Sequence, residues 1–298
     1  MKLLVTGRDG QLARSLQALP EVGGTAGRDV SVVAIGRPEL DITDAASVAR
    51  AIAAHAPDIV VNAAAYTAVD RAESEREAAF RVNRDGAGNV AAAAAQAGLP
   101  VIHISTDYVF SGREAGWRRE DDATDPQNVY GASKLAGEAA VAGANPANVT
   151  LRTAWVYSPY SGNFLKTMLR LAGERERLGV VADQFGTPTY APDIAQAIVV
   201  AARAILAAPR DDAWRGVFHL TASGEASWAD FAREIFRQSA ALGGPSATVD
   251  AITTADYPTP AARPANSRLD NGRFAAVFGH RLPDWRDGVA RCLAALGA

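Results

Sequence analysis

Along the chain, short apolar runs alternate with longer segments of mixed polarity, the rhythm of strands and helices in turn. Lys2 to Thr6 is a strand-length apolar run, and the glycine turn behind it opens a helix that ends near Pro20. Ser31 to Ile35 and Ile59 to Asn62 predict the second and third strands, separated by a helix that Thr43-Asp44 caps and that runs to about His55. A long helical segment from about Asp70 to Ala97 stops at Gly98-Leu99-Pro100, and Val101 to Ser105 follows as the fourth strand. A helix opening at Asn128 leads to a fifth strand, Val149 to Ala154. Five strand–helix units in succession predict an α/β fold with a Rossmann-like, doubly wound parallel sheet.

Beyond this point the pattern loosens. Phe164 to Leu171 has helical apolar spacing, Val180 to Thr189 is extended and turn-rich, and a helix with a long apolar face runs from Asp193 to about Ala207. A strand at Val217 to Leu220 follows, then an amphipathic helix capped by Ser227 that carries Trp228, Phe231, Ile235 and Phe236, and a last helix around Trp285 to Leu296. The predicted division is a dinucleotide-binding domain of residues 1–158 plus about 188–215. A smaller, mainly C-terminal α/β substrate lobe takes about 159–187 plus 216–298.

Composition narrows the function classes. With 298 residues, 48% hydrophobic, and a formal net charge of -3, the chain has the size of one large domain with a second lobe and carries no basic block. Nucleic acid and anionic membrane surfaces are therefore not expected as partners. No apolar run reaches the ~18 residues of a membrane span, and a strand starting at Lys2 leaves no signal peptide expected ahead of the fold. The single Cys292 allows no internal disulfide, which fits a reducing cytoplasm. Four scattered histidines show no metal-ligand spacing, so no metal is expected; His103, inside an apolar run, reads as a strand residue with a hydrogen-bonded ring.

Candidate chemistry begins at Gly7-Arg8-Asp9-Gly10-Gln11-Leu12-Ala13. A strand, a glycine turn and a helix N-terminus present backbone N–H groups and a positive dipole end to a pyrophosphate, although the same turn also occurs without a ligand. At the end of the second strand, where an acidic residue would meet the adenosine ribose, stand Gly36 and Arg37. A guanidinium suits a ribose 2′-phosphate, so NADPH is the expected cofactor, with NADH kept open by nearby Glu39. The small residues Ala63 to Ala65, running into Tyr66 and Thr67, suit either a nicotinamide-ribose wall or a tight connection.

The fourth strand delivers Thr106-Asp107-Tyr108 to its carboxyl end, the edge at which open parallel sheets bind ligands. In Asn128-Val129-Tyr130-Gly131-Ala132-Ser133-Lys134, Tyr130 and Lys134 share one helix face, and an ammonium beside a phenol would lower its pKa from ~10 and make it an acid–base group for a carbonyl or alcohol. With three lysines against seven tyrosines, such a pair arises by chance with odds of roughly one in fourteen, so it needs the surrounding fold. Trp155, at the end of the fifth strand, could stack on a sugar or base or cap the core. The segment Thr253 to Arg268 brings arginines that could clamp a diphosphate or simply face solvent.

Taken together, the glycine turn, the strand-end Thr106 and Tyr-x-x-x-Lys resemble the extended short-chain dehydrogenase/reductase superfamily. More narrowly, the runs Pro57 to Glu73, Ser105 to Gly112, Asn128 to Glu138, Arg152 to Tyr157, Asp183 to Thr189 and His219 to Trp228 resemble the dTDP-4-dehydrorhamnose reductases over nearly the whole length. The resemblance implies NADPH-dependent reduction of the C4 keto group of dTDP-4-dehydro-L-rhamnose, a dTDP-linked 6-deoxy-4-keto-L-sugar, to dTDP-L-rhamnose. Tyr130 would donate the proton, Lys134 would lower its pKa and hold the nicotinamide ribose, and Thr106 would bond the substrate carbonyl. Gly10, Gln11 and Leu12, then Asp41 and Ile42, then Ala65, Tyr66 and Thr67 match cofactor-contact positions, beside Gly7 and Arg37. Thr106, Asp107 and Trp155 match substrate contacts. Departures are Ala13 for the third fingerprint glycine, the Gly36-Arg37 turn, and Ala132-Ser133 in the central motif. A non-catalytic NADP-binding regulatory subunit and another sugar-nucleotide reductase or epimerase are the competing readings. Oligomeric state is left open, a homodimer included.

Overall fold

The computed structural model describes residues 1–19 and 29–297. The first half forms β1 (Lys2–Thr6), α1 (Gln11–Ala18), β2 (Ser31–Ile35), α2 (Ala45–His55), β3 (Ile59–Asn62), α3 (Val69–Ala72), α4 (Arg76–Phe80), α5 (Ala87–Gln96), β4 (Val101–Thr106), α6 (Val129–Ala144) and β5 (Asn148–Thr153). The second half forms β6 (Val156–Tyr157), α7 (Phe164–Ala172), β7 (Arg177–Val181), β8 (Phe185–Gly186), β9 (Thr189–Tyr190), α8 (Ala191–Ala207), β10 (Gly216–His219), β11 (Ala226–Ser227), α9 (Trp228–Ala241), β12 (Thr248–Ile252), α10 (Gly272–Phe278) and α11 (Trp285–Leu296). The expected end of the first helix near Pro20 lies outside the described residues.

Six strands pair in parallel in the order β10-β5-β4-β3-β1-β2. Alternation along β1 sorts its side chains: Leu3 and Val5 join the core beneath α1, α8 and α10, whereas Leu4 joins the opposite core with residues of α2, α5 and α6. Both faces of the sheet are thus covered, as a parallel sheet requires. Strand order reverses between β2 and β3 around β1, and the crevice at their carboxyl ends is where such folds bind ligands. A third core, with Leu165, Leu178, Phe231, Ile235, Trp285 and Val289 at its centre, marks the smaller lobe. Among the described residues no helix is long and apolar enough to cross a membrane.

Two expectations change. The strand expected at Val217 to Leu220 was assigned to the smaller lobe, but it forms at Gly216–His219 and is the edge strand of the large sheet, pairing in parallel with β5 from Val149 to Arg152. Phe218 is fully buried in the large core with Phe274 and Phe278 of α10, so this strand and helix complete the larger unit. The long helix expected from Asp70 to Ala97 is broken into α3 and α4, a π-helical turn at Arg81–Gly86, and α5. Apolar spacing alone does not register the single extra residue of a π-turn.

Candidate active site

The glycine turn is shaped by contact. Gly7 has φ +84°, and a Cβ there would press on the backbone of Ala64 after β3, so a residue without a side chain is needed twice over. Gly10 precedes α1 without any side-chain cap, which leaves the first-turn amides facing outward at the switch point. This uncapped cradle fits a dinucleotide pyrophosphate. Only the backbone of Gln11 and Leu12 is free to serve it. The Gln11 side chain donates to Val156 O at 3.2 Å and accepts from Ser158 and Asn163, and Leu12 is buried in the core.

At the end of β2, Arg37 is exposed, and Arg8 from the glycine turn reaches the same place. The Arg8 guanidinium donates to Arg37 O and pairs with Glu39, both at 3.3 Å. The end of β2 thus carries an Arg8–Glu39 ion pair beside the exposed Arg37, whose backbone carbonyl Arg8 also holds. Arg8 escaped the sequence reading although it stands inside the quoted turn. Asp41 accepts from the backbone and hydroxyl of Thr43, which hold its carboxyl below the usual range, and Ile42 is buried against Gly86.

The loop after β3 is held by a residue that sequence reasoning missed. Asn83, in the π-turn, accepts from Tyr66 N at 2.8 Å, donates to Tyr66 O at 3.0 Å, and donates to Ser133 Oγ on α6 at 2.9 Å. One amide thereby locks the Ala65-Tyr66-Thr67 loop to the tyrosine-bearing helix. Nothing in the charged run Arg81-Val82-Asn83-Arg84-Asp85 marks it, because the burial that obliges its amide to find partners appears only in the fold. The Tyr66 hydroxyl donates to Glu75 at 2.6 Å, and Thr67 is exposed.

Helix α6 begins at Asn128, whose Oδ1 caps Gly131 N at 2.7 Å while its amide donates to Ala262 O at 2.8 Å. Gly131 and Gly137 let this helix lie directly on the carbonyls of Tyr108 and Asn83, where any side chain would collide. The register of β4 with β5 places Thr106 opposite Thr153, so Thr106, Asp107 and Trp155 all leave the carboxyl edge of the sheet. Thr106 Oγ1 donates to Asp107 Oδ1 at 2.9 Å and accepts from Tyr108 N at 3.3 Å. The rings of Tyr108 and Tyr130 meet edge to face at 5.5 Å.

The phenol of Tyr130 is shifted upward, to about 12, by burial, with the Thr106 hydroxyl pulling it down and Asp107 pushing it further up. Spacing had suggested a downward shift from Lys134. That lysine lies on the same helix face, but its ammonium donates to Ile104 O at 2.6 Å, and it is not among the groups that shift the phenol, where desolvation dominates. Lys134 itself is almost fully buried and pushed down to about 8 by burial, with Glu138 pulling it up. Asp107, buried, is pushed up to about 6, chiefly by desolvation. At neutral pH the site therefore holds a neutral phenol ready to donate a proton, beside a threonine hydroxyl at the end of a strand.

Trp155 stacks flat on Trp228, centroids 3.6 Å apart, with φ +49° and Gly186 pressed against its ring, so it caps the smaller lobe's core at the edge of the site. His103 is buried with Nδ1 3.1 Å from the Asn62 amide, and burial holds it neutral, the structural role expected of it. Arg263 pairs with Asp70 at 2.7 Å and Arg268 with Glu225 at 2.8 Å, so both arginines of the 253–268 segment already face carboxylates.

Against known proteins, residues 1–297 match the family model described as RmlD substrate binding domain. The dTDP-4-dehydrorhamnose reductase of Sinorhizobium fredii (strain NBRC 101917 / NGR234) is 51% identical over 296 residues, 99% of this chain and 98% of that protein. The chain belongs to the dTDP-4-dehydrorhamnose reductase family. Two solved structures agree with it in fold. The Clostridium acetobutylicum dTDP-4-dehydrorhamnose reductase superposes with a TM-score of 0.88 at 38% identity, covering 100% of both chains. The Bacillus anthracis str. Ames enzyme, solved in complex with NADP, superposes with a TM-score of 0.89 at 34% identity, covering 99% of both.

Proposed function

We propose that this protein reduces the C4 keto group of dTDP-4-dehydro-L-rhamnose, giving dTDP-L-rhamnose, with NADPH as the reductant. NADPH, which the turn between β1 and α1 and the residues after β3 would hold, would supply the hydride that C4 receives. The π bond of the carbonyl breaks toward its oxygen, and Tyr130 gives that oxygen its phenolic proton, leaving a C4 hydroxyl and a phenolate. Thr106 bonds the same oxygen and orients it. Lys134 holds the nicotinamide ribose and offers a positive charge to the phenolate once it forms. Gly7 and Gly10 shape the turn, their amides donating to Ile35 O and Gly7 O, and the free backbone amides of Gln11 and Leu12 take the pyrophosphate; Arg37 takes the 2′-phosphate, Asp41 and Ile42 the adenosine end, and Ala65, Tyr66 and Thr67 the nicotinamide-ribose side. Asp107 and Trp155 border the sugar nucleotide, beside the smaller lobe. A reducing cytoplasm is the compartment we assign, in keeping with the buried, free thiol of Cys292.

The observation that carries this reading is geometric: at the carboxyl end of β4 the neutral Tyr130 phenol stands beside the Thr106 hydroxyl, its ring held edge to face by Tyr108 at 5.5 Å. Reduction at neutral pH needs a proton donor there, and a phenol in this state is one. The names of the relatives supply the sugar nucleotide. The test is the loss of NADPH absorbance with dTDP-4-dehydro-L-rhamnose as substrate. Turnover is expected; a folded sample that binds NADPH and shows none overturns the assignment.

A further inference from the structure

Tyr130, Lys134 and Glu138 stand four residues apart on α6 and so share one face of it, the last being the residue that the proposed chemistry leaves unused. Glu138 is buried at 6% exposure and is held on both oxygens. Oε2 accepts from Arg152 Nη2 at 2.7 Å, and Oε1 accepts from Arg152 Nε at 2.9 Å and from the hydroxyl of Ser105. Arg152 is itself buried at 4%, lies over the Phe110 ring at 5.0 Å, and faces Ser105 across the β4–β5 register, one step before Thr106 meets Thr153. The ion pair thus fastens the catalytic helix to the two strands that end at the site.

Stability alone is a poor reason for such a pair, because desolvating two charges costs about as much as their attraction returns, and apolar residues of the same volume would serve as well or better. The geometry points to Glu138 as a positioning residue: clamped by Arg152 and Ser105, it fixes the Lys134 arm of α6 against β4 and sets a negative charge before the buried ammonium. This rests on the role given above to Lys134. Burial pushes Lys134 down to about 8, and Glu138 is the group that pulls it back up. Among the described residues no other anion acts on this ammonium. On β4, His103 is held neutral by burial and by Lys134 itself, and Ile104 offers a carbonyl. β5 offers the Arg152 cation, α6 adds the neutral Tyr130, and Asn83 contributes an uncharged amide through Ser133.

The sign of the charge makes the test. In Glu138→Gln the ammonium loses its anion, so the alkaline limb of kcat and of NADPH affinity should move down by roughly half a unit to one unit. In Arg152→Gln the Glu138 carboxylate is left facing Lys134 without a competing cation, and the limb should move up. A purely structural pair would lower the melting temperature in both variants while leaving the limb in place. No shift in either, or shifts in the same direction, overturns the proposal, and if one variant fails to fold, the sign in the other decides. A wild-type protein that binds NADPH without turnover would remove the reductase reading, while the pH profile of NADPH binding in the variants would still judge this one.

Discussion

Gly131 meets the carbonyl of Tyr108 so closely that no side chain fits between them. This contact sets how near the Tyr130 helix lies to the end of β4, and the ring of Tyr130 rests edge to face on that of Tyr108 as a result. Gly131→Ala should therefore destabilise the fold by about 1–3 kcal/mol, the cost of overpacking. A helix-interior glycine free of such contact would instead gain up to about 1 kcal/mol from alanine. Chemical denaturation distinguishes the two by sign.

Tyr130→Phe removes only the phenolic oxygen and should leave NADPH binding within a few-fold of wild type. Turnover should fall by ~10²-fold to 10⁴-fold, the loss expected for a general acid. Near-normal turnover in a steady-state assay would mean that another group delivers the proton.

Arg8 reaches the backbone carbonyl of Arg37 at the end of β2, with Glu39 paired to Arg8 at 3.3 Å. Arg37→Asp should shift preference from NADPH toward NADH. Arg8→Gln should do the same more weakly, because part of its charge already serves Glu39. Fluorescence titration with each cofactor gives the ratio, and a ratio unchanged in both variants would make these arginines ordinary surface charges.

Asp107 carries a carboxyl raised to about 6 by burial. A raised carboxyl binds its proton more tightly in the folded state, so its contribution to stability is present at low pH and is lost as pH rises from ~4 through 6. Asp107→Asn, which keeps an acceptor for Thr106 without the charge, should be more stable than wild type by about 1–2 kcal/mol at pH 7.5. That advantage should disappear below pH 4. Melting curves of the two proteins across this range check it, and an equal difference at both ends would show that the charge plays no part.

The parallel sheet was legible because it rests on local rules. Apolar runs of strand length, the Asp44, Asn128 and Ser227 caps, and the stop at Gly98 are each written in a few adjacent residues, and the structure has a helix or strand end at each. The Thr106–Tyr130–Lys134 set was legible for a related reason, since helical spacing and strand-end placement are one-dimensional patterns. The π-turn at Arg81–Gly86 and the membership of β10 in the large sheet were not, because one extra residue in a helix and the choice of strand partner leave no periodic trace.

By itself, then, the sequence determined the α/β alternation, the glycine turn and the placing of Tyr130 and Lys134 on one helix face, all consequences of short-range chemistry. Tertiary structure alone decided the electrostatics of that pair. Whether Lys134 faces the phenol or the Ile104 carbonyl, how far burial raises Tyr130, and how strongly Glu138 answers the ammonium depend on how α6 packs against β4 and its end. Desolvation and charge act through space, and the distances that set them exist only once the chain has closed its sheet.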